Sequence, residues 1–458
     1  MATADLIVIG AGPGGYRAAE YAARQGLKVV VFEDADVGGT CLNVGCIPTK
    51  TYVHSTSFAE ARQRMPQVVA QLRQGVEQVL CHPNITLVRA RAAFVDAHTV
   101  CPVVGGTSCP VVGGISADIY TAPAIIIATG SETKWLPIEG AKTDPRVVDS
   151  TGLLRLDTLP RRLCIIGAGV IGMEFASVFH RFGSEVTVIE YLKECLPALD
   201  SDIAKRLRKL LEKRGITFRM KTAVQSTADI DADIILMATG RKPRTDGLNL
   251  AAAGITLAPD GSIPVDDNFQ VSAPFLQEGL GETPPRPSKL YAIGDCNGRQ
   301  MLAHAAEMQA IRAVNQIVNR PRYALSSSKK SVNSKSPDGI RFDIMPAAIF
   351  TEPEAACVGP TEDQLKAQAI PYICRKAFWR ANGKALAMGA TEGMLKLFAT
   401  PDDGLILGCH AYGAHAADIV QEVSVLMCRN TTLSELADMV HIHPTLSEIL
   451  RTAAVAAG

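Results

Sequence analysis

The stretch that decides the fold lies near the start of the chain and reads Leu6-Ile-Val-Ile-Gly10-Ala-Gly12-Pro-Gly-Gly15. It predicts a buried strand that turns through Gly-x-Gly-x-x-Gly into a helix. Such a turn binds the phosphates of a dinucleotide, because the first N–H groups of the helix lack partners within it and the helix dipole favours an anion there. A single motif of this kind is weak evidence, so its context decides.

The same pattern occurs a second time, as Cys164-Ile-Ile-Gly167-Ala-Gly169-Val-Ile-Gly172. Each copy has the full context of strand, glycine turn, helix and second strand that a dinucleotide site requires. A further pair of segments, 124–130 and 232–240, consists of apolar strands that both end in Ala-Thr-Gly. The sequence therefore predicts two nucleotide-binding domains related by duplication.

An acidic residue closes each copy. The strand predicted at 27–32 ends on Glu33, the strand at 185–189 ends on Glu190, and each acid follows the first glycine of its motif by 23 residues. A carboxylate in this place accepts hydrogen bonds from ribose hydroxyls; the alternative is that both acids only cap exposed strand ends. Glu190 would also repel a 2′-phosphate, and no arginine follows it before residue 206, so the second site is expected to prefer NAD to NADP.

The remaining pattern divides the chain further. Residues 202–214 form an amphipathic helix that Gly215 ends. After about residue 341 the pattern becomes that of a separate α+β domain, with strands at 347–350, 395–399 and 405–409 and helices at 416–428 and 448–456. Residues 277–288 and 326–339 are expected to be solvated loops, and the repeated Cys-Pro-Val-Val-Gly-Gly at 101–106 and 109–114 predicts a hairpin.

Composition limits the function classes. The chain has 458 residues, 47% of them hydrophobic, which is too long for one ordinary domain and too apolar for a disordered protein. Lys and Arg number 46, as do Asp and Glu, so no net charge favours nucleic acid or an anionic membrane. The 12 cysteines are too few for a disulfide scaffold. Because neither a secretory signal nor a membrane span is seen, a cytoplasmic location is expected.

In that compartment a close cysteine pair is more readily catalytic than structural. Cys41 and Cys46 form such a pair within Gly38-Gly-Thr-Cys-Leu-Asn-Val-Gly-Cys-Ile-Pro-Thr-Lys50. In a regular helix their spacing would span about 7.5 Å of rise, beyond the roughly 4.4–6.8 Å that a disulfide allows between Cα atoms. A bond would need a distorted turn, which Gly45 permits. The spacing alone leaves open whether the two thiols act together.

A second candidate site lies near the C-terminus, in His441-Ile-His443-Pro-Thr445-Leu-Ser-Glu448. The spacing of Thr445 and Glu448 before an apolar helix predicts a capping box with Glu448 at helix position N3, so Glu448 has a complete structural explanation. A lone histidine before proline is more often a surface residue than an acid or base. His441 is expected to serve local structure.

The segment at 38–50 resembles the redox-active segment of the class I pyridine nucleotide–disulfide oxidoreductases. Together with residues 441–448, it is most similar to the dihydrolipoyl dehydrogenases within that family. The resemblance covers essentially the whole chain and weakens at 97–118, 277–288 and 326–339. It implies an α/β fold with two Rossmann-like domains and a C-terminal α+β dimerisation domain. The implied parts are an FAD-binding domain at 1–149, an NAD-binding domain at 150–265, a central domain at 266–340 that completes the FAD site, and a dimerisation domain at 341–458.

The resemblance also implies residue roles. Cys41 would be the thiol that exchanges with substrate, and Cys46 the thiol beside the flavin, so that the two form a redox disulfide. His443 would be the acid/base for substrate thiols, with Glu448 orienting its imidazole.

Two groups of nucleotide-binding residues follow from the same resemblance. Lys50 would lie beside the flavin N5, paired with Glu174. The residues implied for FAD are Gly10, Gly12, Gly15, Glu33, Gly39, Thr40, Lys50, Ala92, Thr129, Gly130, Asp295 and Ala303. Those implied for NAD are Gly167, Gly169, Gly172, Glu174, Glu190, Val224 and Gly240.

The implied reaction is the FAD-dependent oxidation of protein-bound dihydrolipoyl groups to lipoyl disulfide, with reduction of NAD⁺ to NADH. The implied assembly is a homodimer with shared active sites. Its partners would be the lipoyl domains and acyltransferase core of a 2-oxoacid dehydrogenase complex, or the lipoyl protein of glycine cleavage. No nucleic acid, membrane or metal is expected.

Other functions of this fold agree less well with the residues present. A glutathione-type reductase would favour NADPH, which Glu190 argues against. Mercuric-type and high-molecular-weight thioredoxin-type reductases need a second thiol pair at the C-terminus, which ends here in Thr-Ala-Ala-Val-Ala-Ala-Gly458. A transhydrogenase or a coenzyme A disulfide reductase of this fold would lack one of the two cysteines. A purely structural role as a docking subunit conflicts with the filled catalytic positions.

Two residues depart from the family pattern. Arg244 stands where asparagine is usual, and Ala310 where glycine is usual, and both could alter nucleotide affinity. The other ten cysteines show no metal-ligand spacing and are interpreted as small hydrophobic residues.

Overall fold

The computed structural model describes residues 2–103, 119–272, 289–319 and 338–456. The chain divides into two compact units. The first unit contains residues 1–48, 63–134 and 241–340, and the second contains 49–62, 135–240 and 341–458. The division groups residues 241–340 with the first glycine motif, and the finer domain bounds expected from the resemblance stay a prediction.

The helices and strands are numbered here in chain order. The strands are β1 Ala2–Thr3, β2 Leu6–Ile9, β3 Val29–Phe32, β4 Ile85–Val88, β5 Arg91–Phe94, β6 Thr99–Val103, β7 Tyr120–Thr121, β8 Ala124–Ile127, β9 Ser131–Thr133, β10 Val147–Val148, β11 Arg162–Ile166, β12 Glu185–Ile189, β13 Thr217–Arg219, β14 Ile234–Met237, β15 Arg241–Pro243, β16 Lys289–Ala292, β17 Ala347–Ile349, β18 Ala355–Val358, β19 Ile373–Phe378, β20 Met394–Ala399 and β21 Ile406–Tyr412. The helices are α1 Pro13–Arg24, α2 Gly39–Val44, α3 Cys46–Val53, α4 Phe58–Leu80, α5 Ser150–Leu154, α6 Val170–Phe182, α7 Ser201–Arg214, α8 Ala303–Ile317, α9 Glu362–Ala367, α10 Gly383–Ala387, α11 Ala416–Cys428, α12 Leu433–Asp438 and α13 Glu448–Val455.

The first unit is built on a five-stranded parallel sheet with the order β16-β8-β2-β3-β4. Its central strands are short runs of apolar residues, mostly Val and Ile, that are buried along their whole length, as parallel strands covered on both faces are. A smaller sheet, β1-β7-β6-β5, and the antiparallel pair β15-β9 complete the unit. Helix α1 packs against α8, with Gly14 close to Ala306.

The second unit repeats this parallel arrangement in the sheet β10-β14-β11-β12-β13. The strands β14, β11 and β12 correspond to β8, β2 and β3 of the first sheet, so the predicted duplication is confirmed. Helix α7 follows with Asp200 as its N-cap, and Gly215 ends it in the left-handed conformation at φ 116°. The helix predicted at 202–214 therefore begins one residue earlier.

The C-terminal part of the second unit is the predicted α+β arrangement. Five antiparallel strands have the order β17-β18-β21-β20-β19, and helices α11 and α13 pack on them. Their shared core includes the fully buried Trp379 together with Val423 of α11 and Leu450 of α13. The fold class expected from the sequence is confirmed.

Small differences from the sequence expectations occur at element ends. The strand expected at 27–32 begins at Val29, and the helix expected at 448–456 ends at Val455. The loop predicted at 277–288 lies outside the described residues, as do most of 326–339 and all but the first three residues of the hairpin predicted at 101–114.

Candidate functional site

The two glycine turns have the same local geometry. Gly10 has φ 101°, and a Cβ on it would lie 2.4 Å from the Ala128 carbonyl oxygen. Gly167 has φ 106°, and its Cβ would lie 2.4 Å from the Ala238 carbonyl oxygen. Both first glycines are thus required by a left-handed backbone pressed against the end of a neighbouring strand.

The third glycine of each turn allows the helix to approach the strand. A Cβ on Gly15 would lie 1.8 Å from the Gly10 carbonyl oxygen, and one on Gly172 would lie 2.0 Å from the Gly167 carbonyl oxygen. No side chain fits in either place. Each turn therefore holds the N-terminus of its helix, α1 or α6, directly at the carboxyl end of the central strand.

The second glycine of each turn instead has open space beside its Cα. A Cβ on Gly169 would meet no described atom within 4 Å beyond its own chain neighbours, and one on Gly12 would meet Gly39 Cα at 3.8 Å. Both residues are the N-cap of a helix without a side-chain cap bond. An open space therefore lies beside the N–H groups that a helix leaves without a partner, as the expected pyrophosphate position requires.

The two acids hold the turns in matching ways. Glu33 accepts hydrogen bonds from the Ala11 amide at 2.7 Å and the Ala35 amide at 3.0 Å. Burial raises the pKa of Glu33, while these two amide bonds oppose that shift. Each carboxylate oxygen has two acceptor positions, so one amide bond per oxygen still allows ribose hydroxyls to bind.

In the second copy, Glu190 accepts from the Ala168 amide at 2.6 Å and the Leu192 amide at 2.8 Å. Both carboxylate oxygens are therefore held in place at the end of β12. The strand β13 also brings Arg219 alongside, with its carbonyl oxygen accepting from the Glu190 amide. The sequence search for an arginine near Glu190 could not see this neighbour, because strand pairing brings it there.

The other predicted FAD residues lie mainly at the carboxyl ends of the first sheet. Thr129 and Gly130 follow β8, and Asp295 lies in a short 3₁₀ turn, Gly294–Asn297, that follows β16. Ala303 is the first residue of α8, so its amide is among the N–H groups that a helix leaves without a partner. Gly39 and Thr40 occupy the same kind of position in α2.

Asp295 is held by two residues that the sequence analysis missed. The Ser131 hydroxyl donates to Asp295, and Arg241 donates to the Ser131 hydroxyl at 2.7 Å and to its carbonyl oxygen at 2.6 Å. Burial raises the pKa of Asp295, and the hydrogen bond from Ser131 opposes the shift. The pairing of β9 with β15 places Ser131 and Arg241 together, which no local motif could indicate.

Three further residues that were predicted to bind FAD or NAD lie in other parts of the two units. Ala92 lies buried in β5, the edge strand of the smaller sheet of the first unit. Val224 packs against the core of the second parallel sheet, and Gly240 follows β14 at φ 101°. Their nucleotide contacts stay predictions.

The cysteine pair lies at a break between two helices. Helix α2 ends at Val44, Gly45 has φ −129° and ψ −113°, and α3 begins at Cys46. A Cβ on Gly45 would lie 2.8 Å from the Thr40 carbonyl oxygen and 3.2 Å from Cys41 Cα. The chain therefore folds back tightly between Cys41 and Cys46, as the distorted turn expected from the sequence requires. The disulfide itself stays a prediction.

This segment contacts the first glycine turn. A Cβ on Gly39 would lie 2.7 Å from Gly12 Cα, so only a glycine allows the start of α2 to lie against the phosphate-binding turn. Cys41 is half-buried and Cys46 is exposed. The first unit thus joins the nucleotide turn and the thiol pair in one place.

Lys50 and Glu174 lie in the second unit and contact each other. The Lys50 ammonium donates to both oxygens of Glu174, at 2.9 and 2.8 Å. Glu174 is buried in α6 and also accepts from the Phe350 amide at 2.9 Å. The ammonium lies 4.7 Å from the centre of the Phe350 ring, a further favourable contact.

At the C-terminal site, His443 Nδ1 lies 2.9 Å from Glu448 Oε1, and the His443 side chain is 79% exposed. The other oxygen of Glu448 accepts from the Thr445 amide at 2.8 Å. This amide bond and then the contact with His443 lower the pKa of Glu448. The carboxylate is therefore ionised and fixes the imidazole by one of its two nitrogens.

The predicted capping box is wrong in one respect. Helix α13 begins at Glu448 itself, with Ser447 as N-cap, so Glu448 occupies position N1 and not N3. The Thr445 hydroxyl donates to the Ile442 carbonyl oxygen instead of accepting from the helix. His441 is held locally, with Nε2 3.1 Å from Glu422 Oε1 and Nδ1 3.2 Å from the Met439 carbonyl oxygen.

The remaining cysteines are of several kinds. Six are buried, as expected for small hydrophobic residues: Cys101, Cys164, Cys195, Cys296, Cys357 and Cys409. Cys374 is half-buried, whereas Cys81 and Cys428 are exposed, so the interpretation was wrong for these two. Cys101 is buried but disulfide-bonded, so it is more than a small hydrophobic residue. Cys109 lies outside the described residues.

Within the described ranges, no group of three His, Cys, Asp or Glu residues could hold a metal ion. None of the helices that the structure describes is long and apolar enough to cross a membrane.

Comparison with known proteins agrees with this geometry. Residues 4–310 match the family model "Pyridine nucleotide-disulphide oxidoreductase", and residues 345–454 match its dimerisation domain. The dihydrolipoyl dehydrogenase of Thermus scotoductus is 35% identical, over 100% of this chain and 98% of the relative. That of Geobacillus stearothermophilus is 33% identical, over 98% and 95%.

A solved structure has the same fold throughout. The HOCl-induced flavoprotein disulfide reductase RclA of Escherichia coli superposes with a TM-score of 0.84 at 29% identity, covering 98% of this chain and 99% of that protein.

Proposed function

The chain belongs to the pyridine nucleotide–disulphide oxidoreductase family, and on that premise we propose that it oxidises dihydrolipoyl groups to lipoyl disulfide and reduces NAD⁺. It is an NAD-dependent flavoprotein disulfide oxidoreductase with FAD and NAD as its cofactors. The observation that carries the choice of substrate reaction is the exposed imidazole of His443 held by Glu448. A thiol substrate carried on another protein needs an acid/base that reaches the surface.

The nucleotides take the two glycine turns. FAD fits the first turn, because Gly12 is open, Glu33 is placed for a ribose and Asp295 is a held carboxylate at the same edge of the sheet. NAD fits the second turn, because Gly169 is open and Glu190 is a held carboxylate at the end of β12. The charge of Glu190 would repel the 2′-phosphate of NADP. When bound, FAD supplies the hydride chemistry between the thiol pair and NAD⁺.

The chain's own thiols perform the exchange with substrate. His443 takes the proton from a substrate thiol, and the resulting thiolate attacks the sulfur of Cys41, which breaks the Cys41–Cys46 bond and leaves Cys46 as a thiolate. The second substrate thiol then displaces Cys41 from the mixed disulfide, its proton passing to the leaving Cys41 sulfur, which releases the lipoyl disulfide. Substrate is oxidised by two electrons, and the pair Cys41 and Cys46 is reduced by two.

Glu448 makes His443 a suitable base. Its ionised carboxylate holds Nδ1 and stabilises the positive imidazole that forms when the thiol loses its proton. Lys50 and Glu174 act as a fixed ion pair beside the flavin in this proposal, with Glu174 held by Phe350.

The assembly belongs to the proposal as well. The chain has a dimerisation domain at 345–454, and the functional unit is a homodimer in which His443 of one subunit serves Cys41 of the other. The substrate is a lipoyl domain of a 2-oxoacid dehydrogenase complex or of glycine cleavage, with docking on the acyltransferase core in the first case. The location is the cytoplasm.

The deciding experiment is NADH formation by the isolated protein from dihydrolipoamide and NAD⁺, followed by absorbance. We expect turnover that Cys41→Ser and Cys46→Ser abolish. Cys81→Ser is the matched control, because Cys81 is also exposed and lies away from the pair in the sequence. Turnover with NADPH and glutathione disulfide but none with dihydrolipoamide would contradict the proposal in favour of a glutathione-type reductase.

The shared site has its own test. His443→Ala should lower dihydrolipoamide turnover by about 10²–10⁴-fold, while NADH oxidation by an artificial electron acceptor stays near the parent value. A dimer of one His443→Ala subunit and one Cys46→Ser subunit has both lesions in one site and an intact second site, so about half the activity should return. Verified heterodimers without activity would show that His443 serves its own subunit.

A further inference from the structure

Arg244 joins two strand ends of the first parallel sheet. Its amide donates to the Gly130 carbonyl oxygen at 3.0 Å, and the Thr129 hydroxyl donates to the Arg244 carbonyl oxygen at 2.7 Å. These bonds fix the Arg244 backbone at the carboxyl end of β8. Its guanidinium donates to Asp34 at 3.0 Å, at the carboxyl end of β3.

The side chain therefore reaches from the end of β8 to the end of β3. In the sheet order β16-β8-β2-β3-β4, the strand β2 lies between β8 and β3, and neighbouring strands are about 4.8 Å apart. Arg244 and Asp34 together bridge roughly two such spacings, between the two strands that flank the strand leading into Gly10. Any dinucleotide held by the first turn lies at this same strand end.

Asp34 also follows directly after Glu33, the residue placed for the ribose. The two side chains of the ion pair are 39% and 28% exposed, so the pair forms part of the surface at this end of the sheet. Burial raises the pKa of Glu33, and the two amide bonds lower it. The charge of Asp34 raises this pKa as well, and the charge of Arg244 lowers it. The charge of Arg244 thus acts on both acids.

We propose that Arg244 and Asp34 form a clasp that closes the adenosine half of the FAD site and slows release of the cofactor. With Arg244 in place, the charge of Asp34 is neutralised and the ends of β8 and β3 are bridged. Without Arg244, Asp34 adds an uncompensated negative charge beside the pyrophosphate and Glu33. The proposal rests on FAD at the first turn and not on the identity of the thiol substrate.

The test is the rate at which the holoenzyme releases FAD, measured from the change in flavin fluorescence after a large dilution into flavin-free buffer. Arg244→Asn should release FAD about twofold to fivefold faster, the range that a partly exposed ion pair carries. Added salt should speed release from the parent protein and have a smaller effect on the variant, because salt screens the ion pair. Lys242→Gln is the control, since it removes an exposed ion pair with Glu132 from β15, the strand that ends just before Arg244, and should leave release unchanged.

Two further arms identify the mechanism. Asp34→Asn in the Arg244→Asn background should return the release rate toward that of the parent, because it removes the uncompensated charge. ADP binding to the apoprotein should weaken in Arg244→Asn by the same factor, whereas FMN binding should not change, because FMN lacks the adenosine half. Should Arg244→Asn fail to bind flavin at all, Arg244→Lys, which keeps the charge, takes its place with a smaller expected effect.

Equal release rates in the parent and in both Arg244 variants would overturn the clasp. So would slower release, because the arm would then obstruct the cofactor. Either result leaves dihydrolipoamide turnover by the parent protein intact, so it is distinguishable from a failure of the proposed function.

Discussion

Adding a methyl group to single glycines of the second turn separates packing from nucleotide binding, because these glycines have different surroundings. In Gly169→Ala the new Cβ meets no described atom within 4 Å beyond its chain neighbours, and φ −75° suits alanine. In Gly172→Ala the new Cβ would lie 2.0 Å from the Gly167 carbonyl oxygen. The first change therefore tests the space beside the helix, and the second tests the contact between α6 and the turn.

The expected magnitudes follow from these distances. Gly172→Ala must move α6 by more than about 1 Å to reach an ordinary contact distance, and overpacking of this kind costs about 1–3 kcal/mol of stability or more. Gly169→Ala should change the free energy of unfolding by less than about 1 kcal/mol. Its methyl group instead occupies the approach of the NAD pyrophosphate. The loss of a charge-assisted hydrogen bond there corresponds to a weakening of about 10–100-fold in NAD affinity.

The assay combines thermal unfolding with NADH titration followed by fluorescence, and the first turn supplies an internal control. Gly169→Ala should leave the unfolding temperature and the flavin content unchanged while NADH binds more weakly. Gly12→Ala, at the corresponding position of the first turn, should reverse the pattern and lower flavin retention with NADH affinity near normal. Unchanged NADH affinity in Gly169→Ala would refute the reasoning, because the open space would then not be the approach of the pyrophosphate.

Three other changes test separate parts of the structure. The parent protein should use NAD⁺ at least about 100-fold better in kcat/KM than NADP⁺, because Glu190 and a 2′-phosphate repel each other by a few kcal/mol in a partly buried site; comparable rates would contradict this. Glu174→Leu should lower the free energy of unfolding by about 2–3 kcal/mol in a denaturant titration, because it leaves the partly buried Lys50 ammonium without its carboxylate. An unchanged denaturation midpoint would show that this ion pair does not contribute to stability. Burial lowers the pKa of His410, so below about pH 6.5 the unfolded chain takes up a proton that the folded chain does not, and the free energy of unfolding should fall as the pH drops through that range. His410→Gln should flatten this part of the stability–pH profile, and an identical slope in the variant would assign the slope to other groups.

The nucleotide turns could be predicted because all their determinants lie within a short stretch of sequence. The glycines and the acid of each copy lie within 24 residues, from Gly10 to Glu33 and from Gly167 to Glu190, directly after the first strand. Within such a span, the hydrophobic pattern and the glycine spacing determine the local fold without help from distant residues. The break at Gly45 was predictable for the same reason.

The contacts that support the site could not be predicted in this way. Asp295 accepts a hydrogen bond from Ser131, which is 164 residues away in the sequence. Ser131 in turn accepts one from Arg241, which is 110 residues from it. The pairing of β9 with β15 brings these segments together, and neither strand carries a motif that indicates its partner. Arg219 beside Glu190 is a second case, where only the register of β12 and β13 shows the neighbour.

The start of α13 shows how a small difference in local structure decides chemistry. With Glu448 at N3, both its side chain and the Thr445 hydroxyl would be used to cap the helix. Because the helix begins at Glu448 instead, the Thr445 hydroxyl turns to Ile442, and Glu448 divides its oxygens between the Thr445 amide and His443 Nδ1. Glu448 is ionised and can only accept, so Nδ1 must carry the proton. The other nitrogen, Nε2, is then the acceptor in the neutral ring, and it is this atom of His443 that can take the proton of a substrate thiol.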